Sequence, residues 1–436
     1  MHYDTGDTAW VLTSSAAVLF MTPGLAFFYA GMVRRKNVLA MLMQNYVTMA
    51  IVGLIWVWVT YSLAFGPDWG GAGLLGTLHF AGLGHLSQAV PGFSGAKAMT
   101  IPPVVFVAFQ MMFAVITAAL LSGSVAERMK FSAWVVFIAI WSIVVYAPIA
   151  HWVFSPNGWL ALRGTEDFAG GTVVEVTSGM SGAALALVLG RRAGWPRQMV
   201  RPHNVPFTVL GAGVLWFGWF GFNAGSALRA ADAGQAFINT NTATAAALLT
   251  WLVVEKARNG KPTTLGAVTG AIAGAVAITP ACGYVNTLGA TVIGAVAGVG
   301  CALAVGLKHR LRLDDSLDVL AVHFVAGATG MILLGLFGTA SVLGQNGLLY
   351  GGGPALLGQQ ALGVVTVAAY AFGATALIAV VVRVTIGLRV SEDDELAGLD
   401  LALHEETAYD FDPAGGARRS AGAGRAAAST RKENPR

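Results

Sequence analysis

Eleven apolar stretches recur along the chain between Thr8 and Leu388. A helix needs roughly 20 apolar residues to cross the hydrocarbon layer of a bilayer. The stretches fall at about 8–32, 38–65, 102–124, 131–153, 170–190, 205–226, 237–255, 264–280, 285–307, 318–339 and 359–388. Water cannot be the solvent for such a chain. Of its 436 residues, 56% are hydrophobic and only 11% are charged, against roughly 25% charged in soluble domains. The 56 glycines fit the same setting, because helices in lipid pack through small residues that let backbones approach. The expected fold is therefore an all-α polytopic membrane protein of eleven transmembrane helices. Its membrane domain spans 1–388, and a cytoplasmic tail follows at 389–436. The last part of that tail, 414–436, is rich in Gly, Ala, Ser and Arg and is expected to be disordered.

Charge placement gives the orientation. Lys and Arg favour the cytoplasmic side of a membrane. With the N-terminus outside, the inner loops carry Arg34, Arg35, Lys36, Arg128, Lys130, Arg191, Arg192, Arg197, Arg201, Lys256, Arg258, Lys261, Lys308, Arg310 and Arg312. The outer loops carry only Lys97, Arg163 and Arg229. Fifteen against three places the N-terminus outside and, with an odd helix count, the C-terminus inside. The segment Met1 to Asp7 lacks the basic start of a signal peptide. The 48 residues after Leu388 leave no room for a fused kinase or cyclase domain.

Few residues can carry chemistry. An ionisable group at membrane depth is costly and marks a functional site by default, and inside the spans these are Glu175 and His323. The fifth stretch opens with Asp167, eight residues before Glu175; the tenth opens near Asp318, five before His323. Two five-helix halves of opposite orientation would bring Glu175 and His323 together near the midplane, as in inverted-repeat transporters. One His and one Glu are too few for a usual metal site, so neither metal nor cofactor is expected. Cys282 and Cys301 give no disulfide framework. Ser178 and Ser181 lie near Glu175, but no motif presents them as nucleophiles. Nothing in the chain resembles a basic, aromatic-laced surface for nucleic acid. Aromatics form the second feature. Phe109 and Phe113 share one helix face, as do Trp219, Phe222 and Ser226, with Phe154 towards the outer side. Ring faces and a hydroxyl acceptor suit a small monovalent cation, and the same spacing also suits ordinary packing.

Several runs are more specific. MTPGLAFFYAGMVRRKNVL (21–39), FQMMFAVIT (109–117), AERMKFSAW (126–134), DFAGGTVVEVTSG (167–179), GWFGFNAGSA (218–227), TPACGYV (279–285), DDSLDVLAVHFVAG (314–327) and GLRVSEDDELAGLDLALHEETAYDF (387–411) resemble, in collinear order, signatures of the Amt/Mep/Rh ammonium transporters. The resemblance is closest to the Amt/Mep branch. It implies eleven helices, a 5+5 inverted pseudo-repeat plus one, and a homotrimer in the cell membrane with one pore per subunit. It implies that Phe109, Phe113, Phe154 and Ser226 form an outer cation site, and that Phe113 and Phe222 form a gate below it. Trp219 and Asp167 would be structural. His323 matches the second of two pore histidines. The first is replaced by Glu175, as in some members, fungal ones included, and the usual recruiting Trp is replaced by Phe154. Phe should attract a cation less than Trp does.

The expected activity is ammonium transport, not catalysis. NH4+ would be recruited outside and deprotonated. NH3 would then pass through an apolar pore along Glu175 and His323, with the proton conducted separately or left behind. The rival is an ammonium sensor acting through a cytoplasmic partner, and the tail resembles the family segment that meets PII-type regulators.

Overall fold

The computed structural model describes residues 3–197 and 201–409; the segment 414–436 lies outside the described residues. Among these, every extended element is a helix, and strand-like pairing is confined to three isolated bridges. The principal helices are α1 (Thr5–Met32), α2 (Arg35–Phe65), α3 (Pro103–Val125), α4 (Phe131–Leu162), α5 (Gly171–Leu189), α6 (Val205–Ala224), α7 (Ala233–Asn259), α8 (Thr264–Ile278), α9 (Thr287–Ala304), α10 (Leu320–Phe337) and α11 (Ala355–Thr385). Ten of them are long and apolar enough to cross a membrane. The other, α8, has 15 residues. It stops early because Pro280 has no N–H to continue the ladder, and the chain turns through Ala281 to Tyr284 instead.

Helix starts follow from local chemistry. Asp4, Asn204, Thr263 and Asn286 each accept a backbone N–H in the first turn of α1, α6, α8 and α9, satisfying a donor that no earlier turn can reach. The expected small-residue seams are real. A Cβ on Gly294 of α9 would lie 2.2 Å from the Ala243 carbonyl oxygen of α7, and one on Gly274 of α8 would lie 2.5 Å from the same oxygen. Any larger residue forces these backbones apart.

Connections gather at two ends. At the N-terminal end, Asp7 accepts from Thr100 Oγ1 of the α2–α3 connection and from Ala230 N of the α6–α7 connection. Phe168 N donates to Pro280 O, linking the α4–α5 and α8–α9 connections. The opposite end is held by charge. Glu127, 3% exposed, accepts from Arg34 N at 2.8 Å, Arg34 Nε at 3.1 Å, Asn37 Nδ2 at 2.9 Å and Arg192 Nη1 at 3.2 Å. Arg192 also meets Asp314 at 2.8 Å. Arg128, wholly buried, donates to Ser124 O, Ala126 O, Gly190 O, Asp314 O and Ser316 Oγ. These residues lie in four separate connections, so one polar knot fixes how α1 to α6 and α10 enter the bundle.

The tail is part of this knot. It folds as α12 (Glu392–Ala397) and α13 (Leu399–His404). Glu395 accepts from Ala193 N and Arg389 Nη2, Arg34 and Lys36 donate to the Glu395 and Leu396 carbonyls, and Asp400 accepts from Ala40 N.

Burial works to raise the Glu127 carboxyl, but the Arg192 and Arg34 guanidiniums, the Arg34 N–H and the Asn37 amide outweigh it and hold it below the ordinary carboxylate value. A depressed folded-state value stabilises the fold above the unfolded value, and that stabilisation is lost as pH falls through the folded one. Replacing Glu127 by Gln takes the carboxylate from the partly buried Arg34 guanidinium and leaves Arg192 with Asp314 alone. It should cost on the order of 3–5 kcal/mol at pH 7, read as a lower Tm in detergent, with the gap to wild type closing in acid. Equal melting of the two proteins at pH 7 would show that the knot is not what holds this end.

Candidate functional site

The site grows from two helix starts. α5 opens in a π-helical segment, Gly171–Val176. Its first amides converge on Asp167: Oδ1 accepts from Gly170 N at 2.8 Å and Gly171 N at 2.6 Å, and Oδ2 from Thr172 N at 2.7 Å and Thr172 Oγ1 at 2.6 Å. Helix starts leave such donors unpaired, and here one carboxylate absorbs them. Gly170, at φ +117°, makes the turn that aims them.

α10 repeats this plan with a correction to the sequence reading. Its opening is also π-helical, Leu320–Phe324, but the capping acid is Asp315, whose Oδ2 accepts from Leu320 N at 2.7 Å. Asp318 turns away, with φ +62°, to meet Lys308 Nζ at 2.7 Å. With Asp315 as the counterpart, the acid and the paired residue stand eight apart in both helices, Asp167 to Glu175 and Asp315 to His323. The equal spacing is present in the run DDSLDVLAVH, where Asp318 is the acid nearer the apolar stretch and Asp315 the one that meets the helix start.

The two helices cross so that Glu175 Oε2 lies 2.7 Å from His323 Nδ1. Both side chains are buried. Each is followed four residues later by a glycine at the crossing. A Cβ on Gly327 would stand 2.7 Å from Glu175 Cβ, and one on Gly179 would stand 2.4 Å from Phe324 N. With Nδ1 engaged by the carboxyl group, Nε2 is the ring nitrogen left for another partner. The short bond admits two proton placements, carboxylate with Nδ1–H or carboxyl with bare Nδ1, and the tautomer sets which role Nε2 has.

A third π-helical segment, Phe220–Ala224 in α6, carries Phe222. Such segments recur where a side chain must be re-aimed. Phe222 lies over Phe113 of α3 with ring centroids 4.3 Å apart and planes 30° apart. Phe113 in turn has Phe109 edge-on at 4.9 Å and Phe154 edge-on at 6.2 Å. Ser226 Oγ donates to Phe222 O at 2.8 Å, so its lone pairs stay available. Phe154 follows His151 by three residues, and His151 is fixed between Ala64 O at 2.9 Å and Asp68 at 3.1 Å. Trp219 both donates to Thr279 Oγ1 at 3.0 Å and lines the space beside His323.

Three cavities are arranged around these groups. One of about 240 Å³ at the N-terminal end is lined by Phe154, Ser226, Gln110, Glu166 and others. Phe109 and Phe113, both expected at the cation site, are buried edge-on to each other, and neither is in this lining. Beyond the Phe113–Phe222 pair lies a cavity of about 10 Å³, room for no more than about one water. Apart from Glu175 and His323, its lining is apolar, including Leu25, Ile116 and Ile272. His323 and Phe28 then border a third cavity of about 160 Å³ that reaches Asp318 and Glu255 at the tail end. Gln110, Glu166, Asp318 and Glu255 were not read from the sequence as lining residues. Only the fold brings them there.

A bundle of long apolar helices with this interior is a multi-pass membrane protein. The chain matches the model of the Ammonium Transporter Family over residues 9–409. It is 50% identical to an ammonium transporter of Mycobacterium tuberculosis H37Rv, across 95% of this chain and 92% of that one. The structure resembles Candida albicans Mep2 with a TM-score of 0.83 at 36% identity, covering 94% of this chain and 92% of that one. It also resembles a structure titled Sensor Amt Protein, with a TM-score of 0.83 at 31% identity, covering 92% and 98%. The chain belongs to the ammonium transporter family, a family of transporters and not of enzymes.

Gly327 is the sharpest test of the crossing. Gly327→Ala adds a methyl group where none fits, and overpacking of this kind costs about 1–3 kcal/mol. The purified variant should melt below wild type. Unaltered melting would mean that α5 and α10 do not meet this closely.

Proposed function

We propose that the chain conducts ammonium across the cell membrane, as one pore in each subunit of a homotrimer. In this reading all eleven helices span, α8 included, with the N-terminal end outside and the tail inside, as the excess of Lys and Arg at the tail end supports. One observation carries the proposal: the stacked Phe113–Phe222 rings join Phe154 of the open cavity's lining, which Phe113 meets edge-on, to a nearly closed apolar cavity that Phe222 lines and that ends on the Glu175–His323 pair.

The mechanism follows from what separates NH4+ from K+. The two are close in size, so sieving alone does not choose. Phe154 presents a ring, and Ser226 an acceptor, to a cation in the outer cavity, and Phe113 meets Phe154 edge-on. Phe109 holds the Phe113 ring in place. Below the gate, a bare cation in apolar surroundings is disfavoured by several kcal/mol, and K+ has no neutral form. Ammonium can release its proton and continue as NH3, for which His323 Nε2 is a hydrogen-bonding partner. The Glu175–His323 pair takes up the released proton on one member and gives one up from the other, passing it across their short bond, which gives that proton a route separate from ammonia. The third cavity, with Asp318 and Glu255, is where NH3 regains a proton.

A second reading is favoured by the likeness to the Sensor Amt Protein: the same pore reports ammonium to a cytoplasmic partner. The tail helices, bonded to Arg34, Asn37 and Ala193, offer a PII-type protein a surface coupled to the pore helices. Ammonium-evoked current on proteoliposomes of pure protein separates the readings, since a sensor that does not conduct gives none.

Two substitutions test the pair. Glu175→Gln keeps the shape and removes the exchangeable charge. It should alter the current or its pH dependence between about pH 5 and 8, and identical curves would remove the proton role. Glu175→His restores the usual family pair and should retain transport; loss of transport in a folded trimer would mean that residue 175 does not face the substrate.

A further inference from the structure

We propose that Glu166 is the charge that draws ammonium into the outer cavity, where it holds the cation together with the Gln110 side-chain oxygen above the Phe113–Phe222 gate. The inference rests on the ammonium reading above and adds a group that this reading does not use.

Glu166 lines the outer cavity with Phe154, Ser226 and Gln110. Its backbone is clamped on both sides by one fully buried amide: Glu166 N donates to Gln360 Oε1 at 2.8 Å, and Gln360 Nε2 donates to Glu166 O at 2.6 Å. The Tyr284 side chain lines the same cavity beside it. Position and direction are thus set by the fold and not by a free loop. The neighbouring Asp167 cannot serve in the same way, because its two oxygens already take Gly170, Gly171 and Thr172 donors.

Gln110 supplies an independent observation. It is only 8% exposed, it lines the same cavity, and its Oε1 has no hydrogen-bond partner. A buried acceptor without a donor is costly, and NH4+ brings four donors. Both residues line one cavity, and a carboxylate beside a buried orphan amide oxygen forms a receptor for a small hydrogen-bonding cation. K+ meets the charge equally well but leaves the directional donors absent. Burial raises the Glu166 carboxyl, while the Tyr284 hydroxyl and the Lys97 charge oppose that; a cation in the cavity acts in the same sense as Lys97. Lys97, which also lines the cavity, competes with the incoming cation for Glu166. The site makes up for the weaker ring at Phe154. Where a Trp face would hold the ion, this chain has a Phe and a nearby negative charge.

The test is ammonium-evoked current on proteoliposomes of the full chain, measured against ammonium concentration at low and high ionic strength. Glu166→Gln should raise the half-saturating concentration about three- to tenfold at low salt. The saturating current should change less than that, and the shift should narrow at high salt as screening removes the attraction. Lys97→Gln should move the half-saturating concentration the other way. It tests the proposal even where Glu166→Gln fails to assemble. An unshifted half-saturation in Lys97→Gln, or in folded Glu166→Gln at low salt, overturns the inference and leaves ammonium conduction standing. No ammonium current in wild type overturns both.

Discussion

The Glu175–His323 bond requires two helices to cross more closely than ordinary side chains permit. Its 2.7 Å length is possible because Gly179 and Gly327 stand one turn further along each helix and leave the backbones nothing to collide with. The π-helical openings of α5 and α10 turn the two side chains toward each other, and Asp167 and Asp315 fix where those openings begin. Acid, pore residue and glycine recur in the same order and at the same spacing in both helices. One ionisable residue buried alone in apolar surroundings would be costly. Two that share a proton are tolerated, and the pair couples the two halves of the bundle at the centre.

The ends of the molecule are built on different physics. The tail end is a dense ionic knot in which Glu127, Arg128, Arg192 and Asp314 find almost all of their partners in the protein. Breaking any member leaves a buried charge, so the knot resists rearrangement. The N-terminal end is looser. Its cavity is open, its charges Lys97 and Glu166 do not form a close ion pair among those observed, and the Gln110 oxygen is left without a partner. Rigid charge at one end sets the geometry, and unsatisfied polarity at the other is what a cation would complete.

Between them, in the proposed reading, the narrow apolar cavity acts by what it excludes. Space for about one water cannot hold a hydrated cation, and its lining offers a bare one little compensation. Selectivity of this kind needs no ring of ligands matched to an ionic radius. It needs a partner that accepts a hydrogen bond, a second group to take part in proton exchange, and walls that give the charge nothing else.

The sequence by itself determined the solvent and the number and kind of elements. Runs of about twenty apolar residues have one stable form in lipid, because a helix satisfies its own backbone there. It also singled out Glu175 and His323 as ionisable groups deep inside the spans, which the fold brings into contact. It did not determine that Asp315 and not Asp318 caps α10, because acids three residues apart look alike until a helix start chooses between them. Nor did it determine that Phe109 and Phe113 lie outside the outer cavity's lining, or that Glu166 and Gln110 line one cavity. Those depend on contacts between residues far apart in the chain. Glu166 meets Gln360, 194 positions away, and no local pattern encodes such a distance. Helix periodicity fixes what lies on one helix; only the packing of helices decides which groups share a space.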